Sequence, residues 1–130
     1  MNKNNHHEHP ELWFRSSPIL PTDVLCELFD SQKITATPRL GKRDGAHEKG
    51  YIPGQIATLR VLDDNWKEYF SCQIRIMGVK IKPLEQLVPE DLKGSILYRD
   101  WKAVQSDLSY FEKRAIEDKE TVSVIEFSYI

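Results

Sequence analysis

The pattern that most limits what this chain can fold into is a period-2 alternation that appears twice. Phe70, Cys72, Ile74 and Ile76 alternate with Ser71, Gln73 and Arg75 inside Tyr69 to Val79, and Thr121 to Ile130 is again alternating and rich in β-branched and aromatic residues. Successive strand side chains point to opposite faces, so both stretches predict β-strands, with Cys72 on the core side and Arg75 on the other. Ile56, Leu59 and Val61 mark a third strand over Gln55 to Leu62, joined to the first by an Asp63-Asp64-Asn65 hairpin turn. Two shorter strands are expected at Leu12-Trp13-Phe14 and at Ile34-Thr35-Ala36-Thr37, where Pro38 confines the strand to an edge or an end.

Helical spacing is rarer. Val24, Leu25, Leu28 and Phe29 form one apolar face of a helix from Thr22, its expected N-cap, to Asp30. Trp101, Val104, Leu108 and Phe111 form the stripe of another over Tyr98 to Arg114, and Pro89-Glu90-Asp91-Leu92 opens a third that Gly94 ends. Strands do not alternate regularly with helices. The chain is therefore expected to be α+β, a small mixed sheet or barrel of about five to six strands flanked by about three helices.

The length of 130 residues fits one domain, expected over 12–130 behind a disordered leader at 1–11. No apolar run reaches the roughly 20 residues needed to span a bilayer, and no secretory h-region is present, so a cytoplasmic protein without membrane contact is expected. Cys26 and Cys72 are too few for a disulfide framework and read as reduced structural thiols. His6, His7 and His9 form a short His-rich tract, but a tail gives the rings no orienting partners, so neither a metal nor another cofactor is expected. With 18 Lys+Arg against 20 Asp+Glu, bulk polyanion binding is excluded. Any nucleic-acid role must rest on a local patch.

Such a patch exists. Ser31 to Arg43 carries Lys33, Arg39, Lys42 and Arg43 and no acid, and it leads into a glycine-rich loop, Gly41 to Gly54, that ends beside Tyr51. On one strand face Lys33, Thr35, Thr37 and Arg39 would present two cations and two hydroxyls in a row, able to hold a phosphate or a base edge. A solvated edge strand explains the same residues without a ligand. His47, inside the loop, reads as a solvated residue, with general acid/base work as its alternative. Phosphate-binding loops, dinucleotide fingerprints, nucleophile elbows and zinc-protease motifs are absent from the sequence.

The order of a helix, KITATPR, a loop closing on Tyr51-Ile52-Pro53-Gly54, a hairpin, PEDLKG, the Trp101 helix and a final VSVIEF strand resembles the ASCH domain, a branch of the PUA-like superfamily. Lys33 through Arg39, Pro53-Gly54, Lys93-Gly94 and Phe127 carry the likeness. It implies a small β-barrel with a cleft beside the Lys/Thr strand that recognises RNA or a nucleotide-type ligand. The residues it points to are Lys33, Thr35, Thr37, Arg39, Lys42, Arg43, Tyr51 and Lys93, in a monomer. One subgroup hydrolyses the amide of N4-acetylcytidine with a lysine, a threonine and a glutamate. Here Ile34 stands at the lysine position, Lys33 is one residue early and Lys93 replaces the glutamate. A binding module without activity is therefore expected. The alternatives are an amidohydrolase using Lys33, Thr37 and Glu90 or Asp91, and a protein-interaction domain.

Overall fold

A computed structural model describes residues 10–18, 20–45, 50–96 and 100–130. The leader histidines, His47 and the expected helix start at Tyr98 lie outside the described residues. The elements run β1 (Glu11–Arg15), α1 (Thr22–Asp30), β2 (Ala36–Leu40), β3 (Ile56–Leu62), β4 (Glu68–Pro83), two 3₁₀ turns (Leu84–Gln86 and Pro89–Leu92), α2 (Trp101–Glu112) and β5 (Thr121–Tyr129). The strands form one mixed sheet in the order β1-β3-β4-β5-β2. β1 runs parallel to β3, and the other neighbouring pairs are antiparallel. The sheet is a half-barrel with helices against it, the α+β architecture expected.

β4 makes the curvature possible. Its first half pairs with β3 and its second half with β5, and Met77 is skipped where the register shifts between Ile76 and Gly78. Such a bulge bends a strand and increases its twist. One core lies under α1, where Leu25 and Phe29 meet Leu12, Phe14, Leu59, Ile74 and Phe127. The other lies under α2, where Val104 and Leu108 meet Leu84, Leu92, Val122 and Val124. β5 feeds both cores and is buried on both faces from Val122 to Ile125, so its alternation does not separate a wet side from a dry one.

Four local expectations are corrected. Pro21, not Thr22, is the N-cap of α1, and no side chain caps that end. The PEDL segment is a 3₁₀ turn, leaving two α-helices among the described residues. It stops after one turn because Lys93 is extended and Gly94 takes φ +86°. α2 ends at Glu112, before Arg114, with Lys113 left-handed after it. Lys33 and Thr35 precede β2, which starts at Ala36, because their amides bond elsewhere: Lys33 N–H donates to Leu28 O, and Thr35 N–H to Gly94 O. Pro38 sits inside β2, and β2 is an edge strand, as its missing donor requires.

Asp91, 5 % exposed, shows how the 3₁₀ turn is pinned. Its carboxylate accepts from Lys82 Nζ at 2.7 Å and from Val88 N–H at 3.0 Å, with Lys80 at 3.8 Å. Burial opposes its ionisation, but the Lys82 bond, the Val88 amide and the charges of Lys82 and Lys80 outweigh it and hold the carboxyl below its ordinary value. A depressed folded-state value adds stability that is present above the unfolded value near 3.9 and is lost as pH falls through the folded one. Asp91→Asn is therefore expected to destabilise the protein by about 1–3 kcal/mol at pH 7. Denaturant titrations should show that gap closing below about pH 4.

Candidate functional site

β1 and β2 are the two outer strands of the sheet, and the half-barrel opens between them. Arg39 straps that opening. From β2 its guanidinium donates to Thr37 Oγ1 at 2.7 Å and Pro38 O at 3.2 Å, and it also donates to the Trp13 carbonyl of β1. Its plane lies over the Phe14 ring, 4.7 Å from the centroid, a cation–π contact. The expected loop adds a second tie, because Tyr51 O–H donates to the Glu11 carbonyl at 2.7 Å.

Ser123 on β5 sets the position of Arg43. Its hydroxyl donates to Gly41 O at 2.6 Å and accepts from Arg43 N–H at 2.8 Å, which fixes the turn after β2. Arg43 Nε then donates to Leu40 O, also at 2.8 Å. Ser123 is buried, so the turn is anchored from inside the sheet rather than from solvent. Burial raises the Tyr51 phenol, Arg39 and Arg43 pull it back down and Glu11 raises it, so the phenol lies within the field of both arginines.

Between β1, β2 and α2 lies a cleft of about 230 Å³. Its β side presents Arg15, Arg39 and Arg43 with Trp13, Phe14 and Trp66, while its α2 side presents Asp107, Phe111 and Glu112. The volume is below the roughly 300–1,000 Å³ of drug-sized pockets and suits one small planar group. Cations on one wall and carboxylates on the other make it polar across its width.

Of the residues expected at the site, Thr37, Arg39 and Arg43 line this cleft, and Tyr51 stands behind the two arginines. Thr37 is 3 % exposed, so its hydroxyl serves the Arg39 strap rather than solvent. Thr35 meets Gly94, the residue after Lys93, at a different place, and Thr35 and Lys93 are both exposed. Lys33 and Lys42 are exposed and are not part of the cleft wall. The expected row of four on one strand face is thus reduced to Thr37 and Arg39. Neither Glu90 nor Asp91 borders the cleft: Glu90 is exposed, and Asp91 is engaged by the two lysines of β4. Sequence reasoning missed Arg15, Trp66, Asp107 and Glu112, and it read Trp13 and Phe111 as structural. The signal available for Trp66 was an aromatic residue inside a polar hairpin turn.

No protein-family model matches the chain, and no curated protein matches it in sequence. Among solved structures it is similar to a protein of Enterococcus faecalis V583 assigned to DUF984, with a TM-score of 0.64 and 18 % identity over 94 % of this chain and 80 % of that one. It is also similar to an ASCH domain of Lactobacillus crispatus JV V101, with a TM-score of 0.60 and 12 % identity over 94 % and 79 % of the two chains. The fold is ASCH-like. This ASCH-like chain places its cleft between β1 and β2, at the open side of the half-barrel. No helix among the described residues is long and apolar enough to cross a membrane.

Proposed function

We propose that this ASCH-like domain is a PUA-like binding module that recognises RNA, or a nucleotide-containing ligand, in the cleft between β1, β2 and α2. The polarity of that cleft carries the reading. Three arginines on the β side offer donors and positive charge to a phosphate, while Glu112 across from them offers an acceptor for a base amino group. Phe111 on the α2 side gives a base a surface to stack on. A net charge of −2 keeps the attraction local to this opening. One sheet with its two attached cores supports a single-domain module, which begins no later than Glu11, the first residue of β1, one residue before the expected bound of 12.

Binding without catalysis is the reading the geometry favours. Amide hydrolysis by Thr37 would need a base beside its hydroxyl, whereas that oxygen accepts from Arg39 and the carboxylates of Glu90 and Asp91 face elsewhere.

Short single-stranded RNA titrated at two salt concentrations tests the proposal. With about two phosphates neutralised, affinity should fall roughly sevenfold between about 50 and 200 mM salt. Arg43→Ala should weaken binding to all sequences alike and lower the salt slope by about 0.7, the share of one phosphate on a single strand. Absence of binding, or binding indifferent to salt, overturns the proposal.

A further inference from the structure

Trp66 occupies the tip of the β3–β4 hairpin with φ +68°, a left-handed conformation that a bulky side chain rarely adopts. The turn holds it there. Trp66 N–H donates to Asp63 O at 3.0 Å, Asp63 N–H donates to Lys67 O at 3.0 Å, and the Asp63 carboxylate accepts from the amides of Asn65 and Lys67 at 2.8 and 2.9 Å. Glycine or asparagine would fit this position without strain. Burial does not explain the tryptophan, which is 55 % exposed.

The strained backbone aims the ring at the cleft mouth. It meets Trp13 edge-on, with centroids 5.6 Å apart, and Trp13 is itself 43 % exposed. Arg15 lies over the Trp66 ring at 3.9 Å, and its Nη2 donates to Asp64 O, tying the end of β1 to the hairpin tip. Arg15 Nε is buried with no hydrogen-bond partner among the described residues. The nearby acids Glu11 and Glu68 are both paired with Arg60, at 3.0 and 2.5 Å. Two exposed indoles therefore stand together where the cleft opens, Arg15 over the Trp66 ring and Arg60 over the Trp13 ring at 5.6 Å.

We infer that Trp66 and Trp13, the exposed aromatic rim of the cleft, form a stacking platform for the base next to the one held deeper within it, so that the partner is a single strand of RNA rather than a free mononucleotide. This rests on the cleft reading proposed above and extends it. Backbone strain held at an aromatic that stays more than half exposed is the pattern expected where a ring must be pre-positioned for a ligand. Stacking on aromatic rings tolerates any base, and the adjacent arginine supplies both a cation–π contact and a phosphate donor.

The test compares uridine monophosphate with oligouridines of two to six residues, read by tryptophan fluorescence, in the full chain and in Trp66→Gly. The full chain should bind a three-residue oligomer roughly tenfold more tightly than the monophosphate, with quenching of indole emission. Trp66→Gly should lose most of that gain, bringing its affinities for the oligomer and the monophosphate to within about twofold of each other. Equal affinity of the full chain for monomer and oligomer overturns the platform while leaving the cleft reading intact. So does tight oligomer binding without quenching, or oligomer affinity unchanged in Trp66→Gly, either of which leaves the two indoles to a protein partner or to the fold alone. Binding of neither ligand overturns the cleft reading as well. The length series in the unaltered chain decides the matter even where the glycine variant folds poorly.

Discussion

Gly94→Ala is expected to lower stability by about 2–3 kcal/mol, from two separable causes. Gly94 sits at φ +86°, where an L side chain costs about 1–2 kcal/mol. A Cβ there would also lie 2.3 Å from Thr35 Oγ1, forcing the threonine into another rotamer. The backbone cannot withdraw, because Gly94 O accepts from both Thr35 N–H at 2.8 Å and Ala36 N–H at 3.3 Å, the bonds that deliver the chain into β2. Thermal unfolding should show a midpoint lower by roughly 5–15 °C. The double variant Gly94→Ala with Thr35→Ala should recover the clash and retain the backbone cost. A single variant as stable as the parent would show that the crossing does not constrain β2.

Arg39→Ala has the second large expected effect, and it acts on fold and binding together. Removing the guanidinium leaves Thr37 Oγ1 and the Trp13 carbonyl without that donor and unties β1 from β2. Bonds from a charged donor contribute about 1.5–3 kcal/mol, so a loss of about 2 kcal/mol is expected in denaturant unfolding. On the proposed reading of the cleft, RNA affinity should fall roughly tenfold or more, since one of three cleft cations is gone and the opening it spans is free to widen. Arg39→Lys separates the two roles. A lysine keeps the charge but cannot present a planar fork to acceptors on two strands, so stability should fall nearly as far while the salt dependence of binding is kept. Full stability in both variants would mean that the strap does not hold the edges.

Much of the architecture was legible in local patterns. Alternation from Tyr69 onward marked β4, Pro38 marked an edge strand, and the spacing of Trp101, Val104, Leu108 and Phe111 marked α2, because each of these signals is carried by residues a few positions apart. Of the acid-free block from Ser31 to Arg43, Arg39 and Arg43 line the candidate cleft. Lys33 and Thr35 were misplaced on a common strand face because the competing acceptors, Leu28 O and Gly94 O, come from elements that local periodicity cannot relate to them.

What the sequence by itself determined is the five strands, the two α-helices with apolar faces and the place of the cation block, properties of hydrophobic spacing, turn chemistry and charge order along the chain. Tertiary structure alone decided which of those cations share a cleft, and that Arg15, Trp66 and Glu112 join them. The physical reason lies in closure of the sheet. β1 and β2 are opposite edges of the half-barrel, and the bend at the β4 bulge, the reach of Arg39 and the Tyr51 bond to Glu11 bring them together.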